Sequence, residues 1–402
     1  MKKLIYCAAC ALMLASATAC SDDDKVITYN ITTQDTNPAD LPASAVTKSG
    51  SITLTELNTG TVYNFSLPLT ATDVLPAGTY DVEATKTVEY TVDGTATTQT
   101  LKAYANQQVI SENAKGISLN WFFYNPTSSL VFSEIYTAGS PNAKGTSGLY
   151  DTYFKIYNNT DDVIYADGLA IVESKILNSS TDEILTAAND PEANFTVGVV
   201  YVIPGNGTDV AIAPGESIKI ADQAIDFNAT VAGSMDNRDA DFEWYDETTK
   251  GMDTDNPSVP NLDKWFSYSA TIWIPSNQCN RSYAIVRFPE GMTSEKFLSE
   301  QKGDYEYINA ATGNKMNGTK CYLVPNEWIL DGVNLCDSQG WTKGALSVKV
   351  DAGHAAISDI TRDPARFGKK FVRKTSGTSA AGHTVLMDTD NSSADFQIVS
   401  AK

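Results

Sequence analysis

Histidine and cysteine are scarce in this chain of 402 residues, which contains two histidines and six cysteines. Beyond the first 19 residues no two cysteines are spaced C-x-x-C, which argues against a structural zinc site. The motifs H-E-x-x-H and G-x-S-x-G and the phosphate-binding loop are also missing. Because no common catalytic signature is present, we expect a protein that is not an enzyme.

Basic residues are outnumbered: 29 Lys and Arg stand against 49 Asp and Glu, and the net charge is −20. Such an acidic surface repels phosphate backbones, so we expect no nucleic-acid partner. The same negative charge favours the binding of cations. A hydrophobic content of 42% is enough to bury real cores, and the length fits about two to three domains.

Long apolar runs are missing after the first 19 residues, so no later segment is predicted to span a membrane. At the start, Lys2 and Lys3 precede an apolar stretch over residues 4–15, small residues at 17–19 and then Cys20. This order predicts a secretory signal peptide over residues 1–19. Its removal takes Lys2 and Lys3 away and changes the net charge from −20 to −22.

The predicted cleavage site at Cys20 resembles a bacterial lipobox, which implies that the Cys20 thiol carries a lipid. The acidic run Asp22–Asp24 resembles the surface-export tag of Bacteroidetes lipoproteins. Both resemblances imply an outer-membrane protein that is anchored by lipid, faces the cell exterior and uses residues 20–30 as a tether. The alternative is an ordinary signal peptide whose cleavage site happens to precede a cysteine.

Three cysteines follow in the exported chain: Cys279, Cys321 and Cys336. An exported protein can keep disulfides. Cys321 and Cys336 would close a loop of about 15 residues, a bond worth about 3 kcal/mol if it forms. We therefore expect a Cys321–Cys336 disulfide, with Cys279 left as a buried free thiol.

Residues 31–125 have the short alternating patterns of a small β-sandwich. The pattern predicts a strand over residues 51–57, a hairpin into residues 62–67 and another hairpin at residues 90–95. The Leu-Pro-x-Gly-x-Tyr-x-Val pattern of residues 75–82 resembles transthyretin-like or carboxypeptidase-regulatory domains. That resemblance implies a spacer or an adhesion unit.

Pro126 marks the predicted boundary, because proline excludes helical geometry from Asn125 and cannot lie in a central strand. The second domain, residues 127–402, has a set of short motifs in a defined order. These are Ser133-Glu134-Ile135, residues 154–158, Thr160-Asp161, Pro214-Gly215-Glu216 and Asn391 to Asp395-Phe396. Together they resemble a lamin-tail-type immunoglobulin fold.

The stretches 242–262 and 328–333 are unlike a plain lamin tail and resemble a family of uncharacterised Bacteroidetes surface lipoproteins built on that fold. The resemblance implies a fold and a location at the cell surface, but it assigns no catalytic reaction. We therefore expect an all-β protein of two β-sandwich domains, the second immunoglobulin-like with long loop insertions. A single α-helix signal stands out, at Thr293 to Leu298.

One five-residue segment is repeated: Met-Asp-Thr-Asp-Asn occurs at residues 252–256 and again at 387–391. Calcium binds several hard oxygen ligands in loops. Asp253, Asp255, Asp388 and Asp390 are therefore candidate calcium ligands. The alternative is that both copies are plain Asx turns between strands.

Aromatic residues flank the first copy of this repeat. Trp244, Tyr245 and Trp265 are predicted to be exposed on loops and to contact a flat ligand such as a sugar. Trp273 and Trp328 lie in alternating strand patterns and are expected in the core.

The anchor, the β-sandwiches and the missing catalytic motifs favour a binding or accessory protein on the cell surface. Surface lipoproteins of this kind commonly serve a TonB-dependent transporter, so the resemblance implies capture of a nutrient or glycan for such a partner. One alternative is an extracellular hydrolase that uses paired carboxylates such as Asp253/Asp255 or Glu243/Asp246. The other is a structural or adhesion protein without a small ligand.

Overall fold

A computed structural model describes residues 26–38, 41–92, 95–124, 129–146, 148–248, 251–379 and 381–402. The predicted signal peptide, the lipidation site Cys20 and the boundary at Asn125–Pro126 lie outside the described residues. Within those ranges nearly all regular structure is β-strand, which confirms the predicted all-β sandwich fold. No helix there is long and apolar enough to cross a membrane.

The strands up to Tyr124, which we call the N-terminal unit, form a five-stranded antiparallel sheet and two small two-stranded sheets. The strands are β1 Thr28–Asn30, β2 Thr32–Thr36, β3 Val46–Glu56, β4 Val62–Ser66, β5 Val74–Pro76, β6 Gly78–Val92, β7 Thr95–Ile110, β8 Gly116–Asn120 and β9 Phe122–Tyr124. The order in the larger sheet is β4-β3-β6-β7-β9, while β1 pairs with β5 and β2 with β8. The predicted hairpins at 51–67 and 90–95 are confirmed.

The core of the N-terminal unit follows directly from the alternation in its strands. Ile52 and Leu54 of β3 are fully buried, and Tyr80 and Val82 of β6 share their face of the sheet. Opposite them lies Ile117 from the small β2–β8 sheet. The two layers therefore enclose one hydrophobic core, as a sandwich requires.

The strands from Leu130 onward form the C-terminal unit. Its strands are β10 Leu130–Tyr136, β11 Tyr153–Asn158, β12 Ile164–Tyr165, β13 Leu169–Ser174, β14 Glu183–Ile184, β15 Asn194–Val202, β16 Ala211–Ile212, β17 Ser217–Ala221, β18 Phe242–Glu243, β19 Asp263–Ser267, β20 Ser282–Arg287, β21 Tyr305–Ile308, β22 Lys315–Gly318, β23 Tyr322–Pro325, β24 Ile329–Asn334, β25 Lys369–Arg373, β26 Thr375–Thr378, β27 Thr384–Leu386 and β28 Phe396–Ser400. One sheet has the order β18-β17-β11-β10-β25-β28 and the other β19-β15-β13-β20-β24.

These two sheets pack face to face. Phe132 and Phe154 from the first sheet share one core with Ile171, Tyr201 and Ile285 from the second. The second sheet is covered on its other face as well, which explains why every residue of β13 is buried instead of every other one. The C-terminal unit is therefore a sandwich with an added outer layer.

Helices are short in the described residues. They are α1 Ser294–Glu300, α2 Ser392–Asp395 and the 3-10 helices Ala187–Asn189, Phe227–Ala229, Asn326–Trp328 and Pro364–Arg366. The predicted helix after Thr293 is confirmed: the Thr293 side chain accepts a hydrogen bond from Lys296 N–H and caps α1. Phe297 of α1 is fully buried in the outer layer of the second sheet.

The two units meet where β7 contacts the loop before α2. The Lys102 ammonium donates to the Thr389 carbonyl at 2.7 Å, and the Tyr104 hydroxyl donates to the same oxygen. Lys102 is buried although it is charged, and its Nζ lies 4.3 Å from the centre of the Tyr124 ring. One backbone carbonyl of the C-terminal unit thus receives two donors from the N-terminal unit.

Arg373 at the end of β25 is a buried cation of the C-terminal unit. Its guanidinium lies 2.6 Å from the Asp331 carboxylate, 3.2 Å from Asp388 and 3.4 Å from Asp395. Its Nε donates to the Phe132 carbonyl at 2.8 Å, and the Phe132 N–H donates to Asp331 at 2.7 Å. Arg373 therefore joins β10 and β25 of the first sheet to β24 of the second.

Replacing Arg373 by Met should destabilise the protein by about 3–5 kcal/mol, because it leaves buried carboxylates without their cation. Urea unfolding at pH 7 measures the change. Arg238→Met is the matched control: Arg238 is exposed and pairs with Asp236 at 2.6 Å, so the unfolding midpoint should hardly move. Equal midpoints for Arg373→Met and the native protein would contradict this role for Arg373.

Candidate functional site

The first copy of the aspartate repeat lies in a structured loop. Asp253 is buried and accepts hydrogen bonds from the Asp246 N–H at 2.8 Å and the Thr254 N–H at 2.9 Å. Burial, then the neighbouring charges of Asp246 and Asp255, raises the pKa of Asp253 to about 6. Asp255 is exposed and accepts from the Asn261 amide at 2.9 Å.

The second copy has different surroundings. Asp388 lies beside Arg373, and Asp390 has a left-handed backbone with φ 53°. Burial raises the pKa of Asp390 well above its ordinary range, and the charge of Asp388 adds to the rise. The partners of Asp388 and Asp390 include none of the groups around Asp253.

No group of three or more His, Cys, Asp or Glu side chains is placed to hold a metal ion in the described part of the chain. The calcium ligands therefore stay a prediction, and calcium has no part in the function proposed below.

Trp244 is in the core, and its predicted exposure was wrong. Its ring is fully buried and lies 5.8 Å from the Phe154 ring and 4.9 Å from the Trp273 ring. The cause is β18, which pairs in parallel with β17 at the edge of the first sheet and directs Trp244 inward. Trp273 is buried as predicted.

Trp265 and Tyr245 are both half-buried. The Trp265 ring stacks on Phe288 at 4.6 Å and lies 6.0 Å from Phe297. Trp265 therefore belongs to the outer layer around α1, whereas Trp244 lies between the two sheets. The structure does not bring the predicted aromatic ligand contacts together.

The predicted Cys321–Cys336 disulfide is also wrong, because both are buried free thiols, as is Cys279. Cys321 immediately precedes β23, which pairs with β15, and its thiol donates to the Gly303 carbonyl at 3.0 Å. Cys336 follows β24, which pairs with β20. Because the two strands join different neighbours, sequence proximity does not bring these thiols together.

Glu243 and Asp246, considered above as a catalytic pair for hydrolysis, both accept hydrogen bonds from neighbouring groups of the protein. Glu243 accepts from the Ala224 N–H at 2.7 Å and the Asn256 N–H at 2.6 Å. Asp246 accepts from the Tyr201 hydroxyl at 2.7 Å and the Lys264 ammonium at 2.6 Å. Glu243 thus binds loop backbone, and Asp246 binds side chains of β15 and β19.

A concave site of a different kind lies beside the second sheet. It is a cleft of about 300 Å³, and its walls are mainly apolar. Ile176, Ile184 and Ala345 supply apolar wall, and Ala187 and Asn189 come from the 3-10 helix after β14. We call it the Asn189 cleft. Such a volume is at the small end of ligand sites in proteins.

The polar side chains that line the Asn189 cleft are those of Thr186, Asn189, Asp190, Thr196 and Lys343. Asn189 is 2% exposed, and its amide nitrogen donates to the Thr196 hydroxyl at 3.1 Å and the Gly303 carbonyl at 2.8 Å. These two acceptors fix the orientation of the amide. The Asn189 Oδ1 atom accepts no hydrogen bond from any described group. Lys343 lines the same cleft and is half-buried.

A more polar hollow of about 410 Å³ surrounds Arg281. The Arg281 guanidinium already donates to the Ser174 and Lys175 carbonyls and lies 3.4 Å from the buried Glu173 carboxylate. Because the Arg281 guanidinium is already paired with Glu173 and two backbone carbonyls, the Asn189 cleft is the better candidate for a ligand site.

Replacing Asp253 by Asn should flatten the dependence of stability on pH. The folded state holds the Asp253 proton up to about pH 6, whereas the unfolded state releases it near pH 4. Stability is therefore lost as the pH rises through this window, by about 3 kcal/mol at most. Urea unfolding at pH 4.5 and 7.5 should show a smaller loss in the variant. Asp255→Asn, in an exposed position, should keep the native slope; an unchanged slope in Asp253→Asn would refute the assignment.

Comparison with known proteins finds a similarity to one family in the second part of the chain. Residues 213–402 match the family described as "Protein of unknown function (DUF4876)". The crystal structure of a DUF4876 family protein from Bacteroides thetaiotaomicron VPI-5482 is similar with a TM-score of 0.54 and 20% identity, over 92% of this chain and 94% of that one. At that identity the likeness shows the fold alone. No curated protein matches the chain. Residues 213–402 are thus similar to the DUF4876 family, and the chain shares its fold with a Bacteroides protein of that family.

Proposed function

We propose that this protein is a non-catalytic binding protein, anchored by a lipid on Cys20 to the outer membrane and facing the cell exterior. The single observation that carries the binding role is the Asn189 cleft, a mainly apolar concave site of about 300 Å³ whose lining includes the half-buried Lys343.

The lining of the Asn189 cleft supports a ligand site. An apolar cleft with a few convergent polar groups is the usual form of a small-molecule site. Lys343 adds a positive charge to a protein whose net charge is −20. Its ammonium has no ion-pair partner among the described residues, so it can bind an anionic group of a ligand.

The engagement of Glu243 and Asp246 supports the non-catalytic part of the proposal. A general acid or base needs free access to the proton that it transfers. Both carboxylates instead accept two or more hydrogen bonds, Glu243 from loop backbone N–H groups and Asp246 from side chains of β15 and β19.

The sequence resemblances supply the setting. A transthyretin-like N-terminal domain would separate the anchor from a lamin-tail-like domain that carries the cleft. As in other Bacteroidetes surface lipoproteins, the captured nutrient or glycan would pass to a TonB-dependent transporter.

A thermal-shift screen tests the binding role. The panel holds sugars, amino acids, short peptides, fatty acids and nucleosides, and we expect at least one class to raise the melting temperature. Ala187→Trp fills the cleft from an exposed wall position and should abolish the shift. Ala188→Trp, at the next exposed position and outside the cleft, is the matched control. A panel without any hit, or a shift that survives Ala187→Trp, would overturn the proposal.

Replacing Cys20 by Ser tests the anchor. Without its thiol the chain should take up no radioactive palmitate and should appear in the culture medium, because three acyl chains bind a membrane firmly and no other predicted segment does. Cys279→Ser, which removes a buried thiol, should keep the label. Labelling that persists in Cys20→Ser would show that the lipid is elsewhere.

A further inference from the structure

We infer that the Asn189 cleft binds a short peptide with a free C-terminal carboxylate; this inference rests on the binding role proposed above. Three features of the cleft each match one part of such a ligand. They are the edge of a small sheet, the lysine and the apolar walls.

The sheet edge matches a peptide backbone. Strand β14 is the outer strand of the three-stranded sheet β14-β21-β22. The Leu185 N–H donates to the Glu306 carbonyl of β21 at 2.9 Å. Since successive residues of a strand direct their N–H and C=O groups to opposite sides, those of Ile184 point away from β21. Ile184 also lines the cleft, so an extended peptide can pair with its backbone as an added strand.

Lys343 matches the C-terminal carboxylate, and the apolar walls match small aliphatic side chains. Ile176, Ile184 and Ala345 offer no hydrogen-bonding side chains to the many hydroxyls of a sugar. A volume of about 300 Å³ accommodates only two or three small residues. The cleft thus selects the end of a peptide and excludes a folded protein chain.

The test uses the full-length protein and two mixtures of N-acetylated tripeptides composed of Ala, Val, Leu and Ile. One mixture ends in free carboxylates and the other in carboxamides. Native mass spectrometry measures the bound fraction of each. We expect the free acids to bind at least ten times more tightly than the amides.

Variants at Lys343 tie this preference to the cleft. Lys343→Met should weaken binding of the free acids at least tenfold and remove the preference over the amides, whereas Lys343→Arg should restore most of it. Lys349→Met, which removes an exposed lysine outside the cleft, should change nothing. Because Lys343 forms no ion pair with any described residue, these variants should fold normally, as circular dichroism can verify.

The outcomes separate this inference from the proposed function. Equal binding of acids and amides, or an effect of Lys349→Met as large as that of Lys343→Met, overturns the role of the carboxylate. If neither mixture binds while a sugar or nucleoside shifts the melting temperature in the cleft-dependent screen, the peptide class is wrong and the binding role stands. If nothing binds in either experiment, both fail.

Discussion

The ion pair of Arg373 with Asp331 is the contact on which the arrangement of the C-terminal unit depends. Its two residues lie on different sheets of the sandwich, and both contact the backbone of Phe132. Hydrophobic packing between two sheets is not directional and tolerates sliding. A buried ion pair bonded to a defined strand fixes one relative position, because any slip would leave charges unpaired in a low dielectric.

A chain of polar contacts links the Arg373 guanidinium to the contact between the two units. Asp395, which lies 3.4 Å from Arg373, accepts from the Thr389 N–H at 2.9 Å. The Thr389 carbonyl in turn accepts from Lys102 of the N-terminal unit. The second aspartate repeat thus shapes a loop that connects the core of one unit to the surface of the other.

Local patterns predicted the regular structure well, since alternation and capping act between residues that are close in sequence. The strand at residues 51–57 and the helix after Thr293 were found this way. The disulfide and the exposure of Trp244 were wrong for a common reason: each depends on which strand pairs with which. Two β-strands of the same composition can join different neighbours, and alternation carries no information on that choice.

The Asn189 cleft could not be found from the sequence. Its wall combines residues before β15 with Lys343 and Ala345 from a loop after β24. No motif links these segments, and an asparagine followed by Asp-Pro at residues 190–191 indicates only a turn. The Asn189 side chain is held in place by two acceptors, Thr196 and Gly303, which lie in other parts of the fold.

The hydrogen bond from Lys102 to Thr389 joins residues 287 positions apart. This separation determines the order in which the parts of the protein fold. Closing so long a loop in an unfolded chain costs much conformational entropy for one hydrogen bond. Once both units have folded, the intervening chain is already compact and the remaining closure is short. The two units should therefore fold separately and dock last, so the joint between them would be the slowest contact to form and the first to open under mechanical load.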